Sequence, residues 1–593
     1  MVVFALPALS TSRLCASGFC LLMLSAAVGF AANPSALRRP IALELAEDGK
    51  TLYVANSRSG SLSVIDLNNA RVVQEISLGK KLSDLVRVDG RPWFLATDEE
   101  AGELLLLQAA GQNVKIWQRL PVSPYPVSVV ISPDQSRCYV TSIWSRRLSV
   151  IDLPLENDQE AKITHVIDLP IAPRCQLLVR DGSKLIIADA FGGRLAVLDT
   201  QSLELIGIRE FPGHNVRGLG VNNDGTMLLI AHQMLNELAH TVRNDVHWGL
   251  LMSNDLRWLK LDAVLDPKAD LYGGAHMHPL GEAGSATGDP AGLTVAQDGT
   301  VVVALGGVGE VAVGQEEDFS LYRIRVGRRP TDVTINDAGT TAYVVNTFGE
   351  SVSIVDLAER EAKGKIPLGD LPDPATLSEV DRGELLFYDA RLSHDGWMSC
   401  HSCHTDGHTN GMLNDNFSDA SFGAPKRVLS LLGRTGTEPF AWNAEAKDLV
   451  TQIRKSITNT LQSDNEPDED QVAALAAYVR TLPGPPSIDR LRGVADPVAI
   501  DRGAEQFRSL GCVRCHRPPT FTTPRTYDVG LVDKLGNNRF NPPTLRGVGQ
   551  RGPYFHDNRA ASLEEVFRKH RHQLKRDLQD TELFDLLAYL RSL

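Results

Sequence analysis

Apolar and polar positions alternate through the first part of this chain in short bursts that keep returning. Ala46-Glu47-Asp48-Gly49-Lys50-Thr51-Leu52-Tyr53-Val54-Ala55-Asn56 leads into Ser61-Leu62-Ser63-Val64-Ile65-Asp66-Leu67. Far along the chain, Asn336-Asp337-Ala338-Gly339-Thr340-Thr341-Ala342-Tyr343-Val344-Val345-Asn346 leads into Ser351-Val352-Ser353-Ile354-Val355-Asp356-Leu357. Each copy reads as a strand, a tight turn, a β-rich strand, another turn and a third strand. The turns are marked by Asp48, Asp89, Asp134, Asp181, Asp224, Asp298 and Asp337, at spacings of 41, 45, 47, 43, 74 and 39 residues. A period of forty-odd residues with four short strands is that of propeller blades, so seven marks predict a seven-bladed β-propeller over residues 33–369.

After Pro372-Asp373-Pro374 the pattern changes to helical spacing. Arg382-Gly383-Glu384-Leu385-Leu386-Phe387 and Arg502-Gly503-Ala504-Glu505-Gln506-Phe507 open two similar stretches. Ala474–Leu482 and Leu587–Leu593 close them. Two helical units are predicted, 374–484 and 485–593, joined at Pro483-Gly484-Pro485-Pro486. The fold class is therefore multidomain, an all-β propeller followed by an all-α tandem domain.

Each helical unit contains one five-residue string, Cys400-His401-Ser402-Cys403-His404 and Cys512-Val513-Arg514-Cys515-His516. Cys-x-x-Cys-His is the sequence at which haem is attached covalently: two thiols meet two vinyl groups, and the adjacent imidazole becomes the proximal ligand. A zinc knuckle would need a closed set of four ligands, whereas these strings lie over a hundred residues apart. The sequence thus predicts two covalently attached haem c groups, with Cys400, Cys403, Cys512 and Cys515 as attachment points and His404 and His516 as iron ligands.

The N-terminus adds a location. Arg13 precedes the apolar run 14–28 and small residues Gly29-Phe30-Ala31-Ala32, which reads as a cleaved secretory signal over residues 1–32 and places the mature protein in the periplasm without a membrane span. Of eight cysteines, Cys15 and Cys20 leave with the signal and four hold haem, so Cys138 and Cys175 remain as a candidate disulfide. A formal net charge of −13 excludes nucleic acid as a natural partner and suits a redox protein.

The 74-residue step implies an insertion within or after the fifth blade, about 232–290. It carries His232, His240, His247, His276 and His278 beside Trp248 and Trp258. Long loops of propellers carry function, and imidazoles suit a transition metal, so His232, His240 and His247 form a candidate metal site; a contact with the haem domain is the other reading.

Tyr53-Val54-Ala55-Asn56, Tyr139-Val140-Thr141-Ser142 and Tyr343-Val344-Val345-Asn346 resemble YVTN-type propellers, a match that names no ligand. Leu386-Phe387-Tyr388-Asp389-Ala390-Arg391-Leu392-Ser393, Pro542-Pro543-Thr544-Leu545-Arg546-Gly547-Val548 and Pro553-Tyr554-Phe555-His556-Asp557 resemble the bacterial dihaem cytochrome c peroxidase and MauG superfamily. That resemblance implies a first haem that meets peroxide, a second that passes electrons, and in many members an interdomain calcium ion. It also implies a distal ligand to the second haem after Leu563-Glu564-Glu565, where His570 stands with His572 close by. The family's Gln and Glu over the first haem, ten residues apart, fall by this alignment on Phe440 and Val450, and its inter-haem Trp is missing, with Phe422 the nearest aromatic. Neither Phe440 nor Val450 can move a proton. Two substitutes stand open: His408 or Met412 as a cap on the first iron, or Glu445 as the acid in a remodelled pocket. The expectation is an oxidoreductase acting on peroxide, a small substrate or a protein partner. A non-catalytic electron carrier or redox sensor, and a propeller that binds a metal or a partner, are the alternatives.

Overall fold

A computed structural model describes residues 37–593 apart from 112, 155–158, 372, 374–375 and 418–419; the signal expected over 1–32 lies outside the described residues. Residues 40–367 form antiparallel sheets in chain order. Four-stranded sheets span Pro40–Ser77, Leu82–Pro121, Pro126–Asp168, Pro290–Arg325 and Pro330–Pro367. Between the third and fourth of these lies one seven-stranded sheet, Pro173 to Pro279. Its long strand Leu205–Val221 breaks register between His214 and Gly218, so its first half closes a fourth blade and its second half opens a fifth. That makes seven blades.

Apolar residues alternate on both faces of each blade and fill the spaces between neighbours. The ring closes where Leu43, Leu45, Leu52 and Val54 of the first blade pack with Val345, Val352 and Ile366 of the seventh. Cys138 is buried in the core between blades two and three, and Cys175 packs on that between blades four and five, so both stay free thiols and the candidate disulfide is not formed. The insertion falls within the fifth blade, as residues 236–251 between its second and third strands plus 261–275 before its fourth. It includes the short helix α1 (Arg243–His247).

The helical half repeats one motif. Helix α2 (Glu379–Phe387) crosses α4 (Glu469–Thr481) in the first unit, and α5 (Pro497–Ser509) crosses α7 (Asp580–Ser592) in the second. A Cβ on Gly383 would stand 2.8 Å from Cβ of Tyr478, and one on Gly503 2.8 Å from Cβ of Tyr589, each closer still to a backbone carbonyl. The two glycines therefore permit the same close crossing in both units. Helices α3 (Leu449–Lys455) and α6 (Leu563–Arg568) occupy the stretches between.

Propeller and first unit share a core. Leu235, Ala239, Val246, Leu251 and Met252 from the fifth blade and its insertion pack with Phe387, Trp397, Met398, Cys403 and Leu449. Of the two readings of the histidine-rich stretch, the contact with the helical half is the one the fold displays. Among the described residues no helix is long and apolar enough to cross a membrane.

Candidate haem sites

The first Cys-x-x-Cys-His string forms one short helix, Cys400–Cys403, and the propeller grips it from beneath. Ser399 and Ser402 each donate a hydroxyl to Asp289 at 2.6 Å, one to each carboxylate oxygen, and Arg329 stands 3.6 Å from the same group. His214 donates from Nε2 to the carbonyl of Ser402 at 2.9 Å; burial holds its pKa down to about 4, so it is neutral. Arg217 pairs with Asp406 at 2.7 Å just past the string. Burial likewise holds His404 down to about 4, and its Nδ1 has no hydrogen-bond partner, so a neutral imidazole stands ready as a ligand.

His404, Cys400 and Cys403 open onto a cleft between the helices of the first unit. Its walls are largely apolar, with Phe440, Ile453 and Ile457 among them. Lys426, Arg427 and Arg434 bring positive charge. Arg427 is buried with its Nε unpaired, and burial lowers the pKa of both arginines to about 10. Buried cations facing an apolar cleft would be costly on their own. A flat apolar ring carrying two carboxylates, as haem is, fits that set. Among the described residues no Asp or Glu lines the cleft.

One polar side chain of the wall is poised. Gln452 on α3 donates to Ser456 Oγ at 3.2 Å, while its Oε1 is buried without a partner. Ten residues before it stands Trp442, which also lines the cleft and donates Nε1 to the carbonyl of Arg427 at 2.8 Å. Of the two positions that the family resemblance sets over the first haem, one faces the cleft and the other does not. Phe440 does line the cleft, but Val450 faces outward, and the polar group is Gln452. Phe422 lies tilted against His240 at 4.9 Å, and Trp442 is the aromatic of this stretch that lines the cleft. Ten residues past Gln452, Gln462 donates to the carbonyl of Thr241 in the propeller insertion.

Trp442 also faces the second unit. Its carbonyl accepts from Asn541 at 2.7 Å and its ring meets His556 edge-on at 6.2 Å. His556 is buried, stacks on Phe540 at 4.3 Å, and has neither ring nitrogen hydrogen-bonded. A file of rings, Trp442, His556 and Phe540, thus joins the cleft to the second unit.

The chain belongs to the di-haem cytochrome c peroxidase family. That family's profile matches residues 378–487. Cytochrome c551 peroxidase of Nitrosomonas europaea is 30% identical over 277 residues, 37% of this chain and 81% of that protein. The methylamine utilization protein MauG of Methylorubrum extorquens is 29% identical over 286 residues, 39% of this chain and 79% of its own. Among solved structures, hydrazine synthase of Kuenenia stuttgartiensis aligns over 56% of this chain and 98% of its own, at a TM-score of 0.46 and 19% identity. Membership implies two haems, and both strings have the residues for them.

The second string is looser. Gly511 precedes a single turn, Cys512–Arg514, and both cysteines are half-buried. His516 donates Nδ1 to the carbonyl of Phe521 at 3.1 Å, which fixes the tautomer and leaves Nε2 for a metal. His570 turns its Nε2 to the carbonyl of Arg559 at 3.0 Å. His572 is the histidine that feels His516: burial first, then that like charge, lowers its pKa to about 4. Both rings flank Phe555 at 5.4 Å, so His570 and His572 stand together on this side of the second unit.

The candidate catalytic residues are elsewhere. His408 is buried with Nδ1 on Ser430 Oγ at 3.0 Å, Nε2 on the carbonyl of Gln550 at 3.1 Å, and its ring against Trp144 and Phe191 of the propeller. Both nitrogens are engaged, so it neither caps an iron nor moves a proton. Met412 packs at the edge of the shared core, outside the cleft lining, and Glu445 is exposed. The three candidate metal histidines have separate partners. His232 is buried and accepts from Arg257, His240 meets Asp415 at 3.2 Å, and His247 meets Asp395 at 2.6 Å. The fifth-blade strand holds His232 inside the sheet while the insertion carries the other two outward.

Proposed function

We propose that this protein is a periplasmic dihaem oxidoreductase in which the first haem has an open distal side and oxidises a partner, and the second supplies the electron path. Cys400, Cys403 and His404 would hold the first haem, and Cys512, Cys515 and His516 the second, with His570 or His572 as its further ligand. The observation that carries this reading is the engagement of His408 on both nitrogens, which removes the nearest imidazole from the first cleft.

Haem, once bound, supplies the redox chemistry; the chain supplies its setting. Burial lowers the His404 pKa to about 4, so its imidazole would meet a haem iron without competing protonation. Arg427 and Arg434 offset the carboxylates of the ring. Gln452 can accept a hydrogen bond from a peroxide or water and so orient it, but an amide does not transfer a proton. With no Asp or Glu among the described residues of the wall, proton delivery would fall to solvent, which favours slow oxidation of an external donor over rapid peroxide turnover. Trp442 and His556 stand where an electron would pass between units. The donor's chemistry is that of a redox protein or small reductant meeting an acidic surface, with hydrogen peroxide as oxidant.

Electron paramagnetic resonance of the diferric protein tests this. One high-spin ferric signal, lost on addition of hydrogen peroxide and weakened in reactivity by Gln452→Leu, is expected. Two low-spin signals that ignore peroxide would instead make the protein an electron carrier.

A further inference from the structure

The propeller insertion meets the first cytochrome unit at a cluster of ligating groups that the reading above does not use. His247 ends α1 and points Nδ1 at Oδ2 of Asp395, 2.6 Å away. From the cytochrome side, His394 Nε2 lies 3.6 Å from that same oxygen, and the two imidazoles stack 5.5 Å apart at 27°. One ligating atom from each of the three lies within 4.8 Å of the others, and among the described residues this is the one such group of His, Cys, Asp and Glu.

We propose that His247, His394 and Asp395 bind one zinc ion that clamps the propeller insertion to the first cytochrome unit. Two imidazoles and a carboxylate are a donor set that zinc takes readily, with a water in the fourth position. Ligands of a tetrahedral zinc at about 2.0–2.1 Å stand roughly 3.3 Å from one another. The 2.6 Å contact would open and the 3.6 Å contact close, each by less than an ångström.

The surroundings are those of a built site. Asp464 lies 3.0 Å from Nδ1 of His394, and in the tautomer that donates there Nε2 is the nitrogen left to face Asp395. Arg243 of the insertion holds Asp464 in turn. Asp395 is fixed from behind: Gly284 N–H donates to its Oδ2 at 3.1 Å, and Ala286 N–H to its carbonyl at 3.2 Å. Its backbone takes the left-handed conformation, φ 60°, to reach that place. His394 and Asp464 come from opposite ends of the first unit's sequence and His247 from the propeller, so occupation would tie three segments together. Trp397, between Asp395 and Cys400, donates its indole N–H to the carbonyl of His247 at 3.1 Å, so the clamp sits directly before the first haem string.

The test uses the intact holoprotein, stripped with a chelator, titrated with zinc chloride alone and dialysed, with zinc counted separately from haem iron. One zinc per chain is expected to remain, to raise the thermal transition, and to be lost in His394→Gln and His247→Gln. Asp464→Asn, at a half-exposed position, is expected to fold normally and to weaken binding about 10–100-fold. A wild-type protein that retains no zinc overturns the site whatever the variants do. So does retention that is unchanged in His394→Gln, which would place the ion elsewhere. Neither result bears on the electron paramagnetic resonance of the haems.

Discussion

The two cytochrome units share a helix crossing and a five-residue string, yet their sites are unlike. Gly383 and Gly503 meet the partner helix at the same separation, and Tyr478 and Tyr589 occupy the same place beside them. In the first unit the string is buried on a propeller that holds it through Asp289, His214 and Arg217. The second unit meets the propeller through Arg492, which donates to the carbonyls of Ser145 and Arg146, and Gln550, which donates to that of Trp144. Its cysteines stay half-exposed. Duplication supplied the haem-bearing motif twice. Contact with another domain, rather than a change of motif, buries Cys403 in the first copy while both cysteines of the second stay half-buried.

The sharpest way to break that contrast is Asp289→Ala. It would leave two buried hydroxyls and Arg329 without their acceptor, a loss of about 3–5 kcal/mol by chemical denaturation. Haem content should fall at the first site alone, read as one haem per chain in place of two. Equal loss at both sites would mean that the propeller does not single out the first unit. The complementary substitutions, Gly383→Ala and Gly503→Ala, should act alike. Each inserts a methyl against a backbone carbonyl and should cost about 1–3 kcal/mol. Unequal costs would show that the crossing itself has diverged.

The same contrast explains what the sequence disclosed. Turn aspartates at a forty-odd-residue period named the blades because each turn is local, and the 74-residue step put the insertion within or after blade five. The Cys-x-x-Cys-His strings were legible because their chemistry is set within five residues. Trp442 and Gln452 were harder: their roles depend on a cleft assembled from segments dozens of residues apart, and no local pattern marks them. His408 lies four residues past His404 and looked like a ligand, but Ser430, Gln550 and two propeller aromatics take it away. His247 was singled out with His232 and His240, whereas His394 and Asp395 reach it only once the two domains dock.

The smallest expected effect compares the propeller ring with its docking surface, through pH. Glu44, Asp332 and Asp84 come from the first strands of blades one, seven and two, which adjoin around the ring. Burial pushes Glu44 up to about 8, with Asp332 adding to it and Arg87 opposing. Burial likewise raises Asp332 to about 7 and Asp84 to about 6. A carboxyl whose folded pKa is raised contributes stability that is present in full below its unfolded value, near 4, and lost as pH rises through the folded one. The ring should therefore weaken between pH 5 and 8. Asp406 on the docking surface is opposite in sign. Burial alone would raise it, but Arg217 and Arg174 outweigh burial and hold it far below the usual carboxylate range, so its contribution is lost only in acid, below about pH 4. Glu44→Gln should flatten the loss of thermal stability from pH 5 to 8 by a few degrees, on the order of 2–4 °C per kcal/mol. It should leave the acid limb unchanged, whereas Asp406→Asn should alter the acid limb and spare the alkaline one. A single variant that moves both limbs would mean that ring and docking surface titrate as one body.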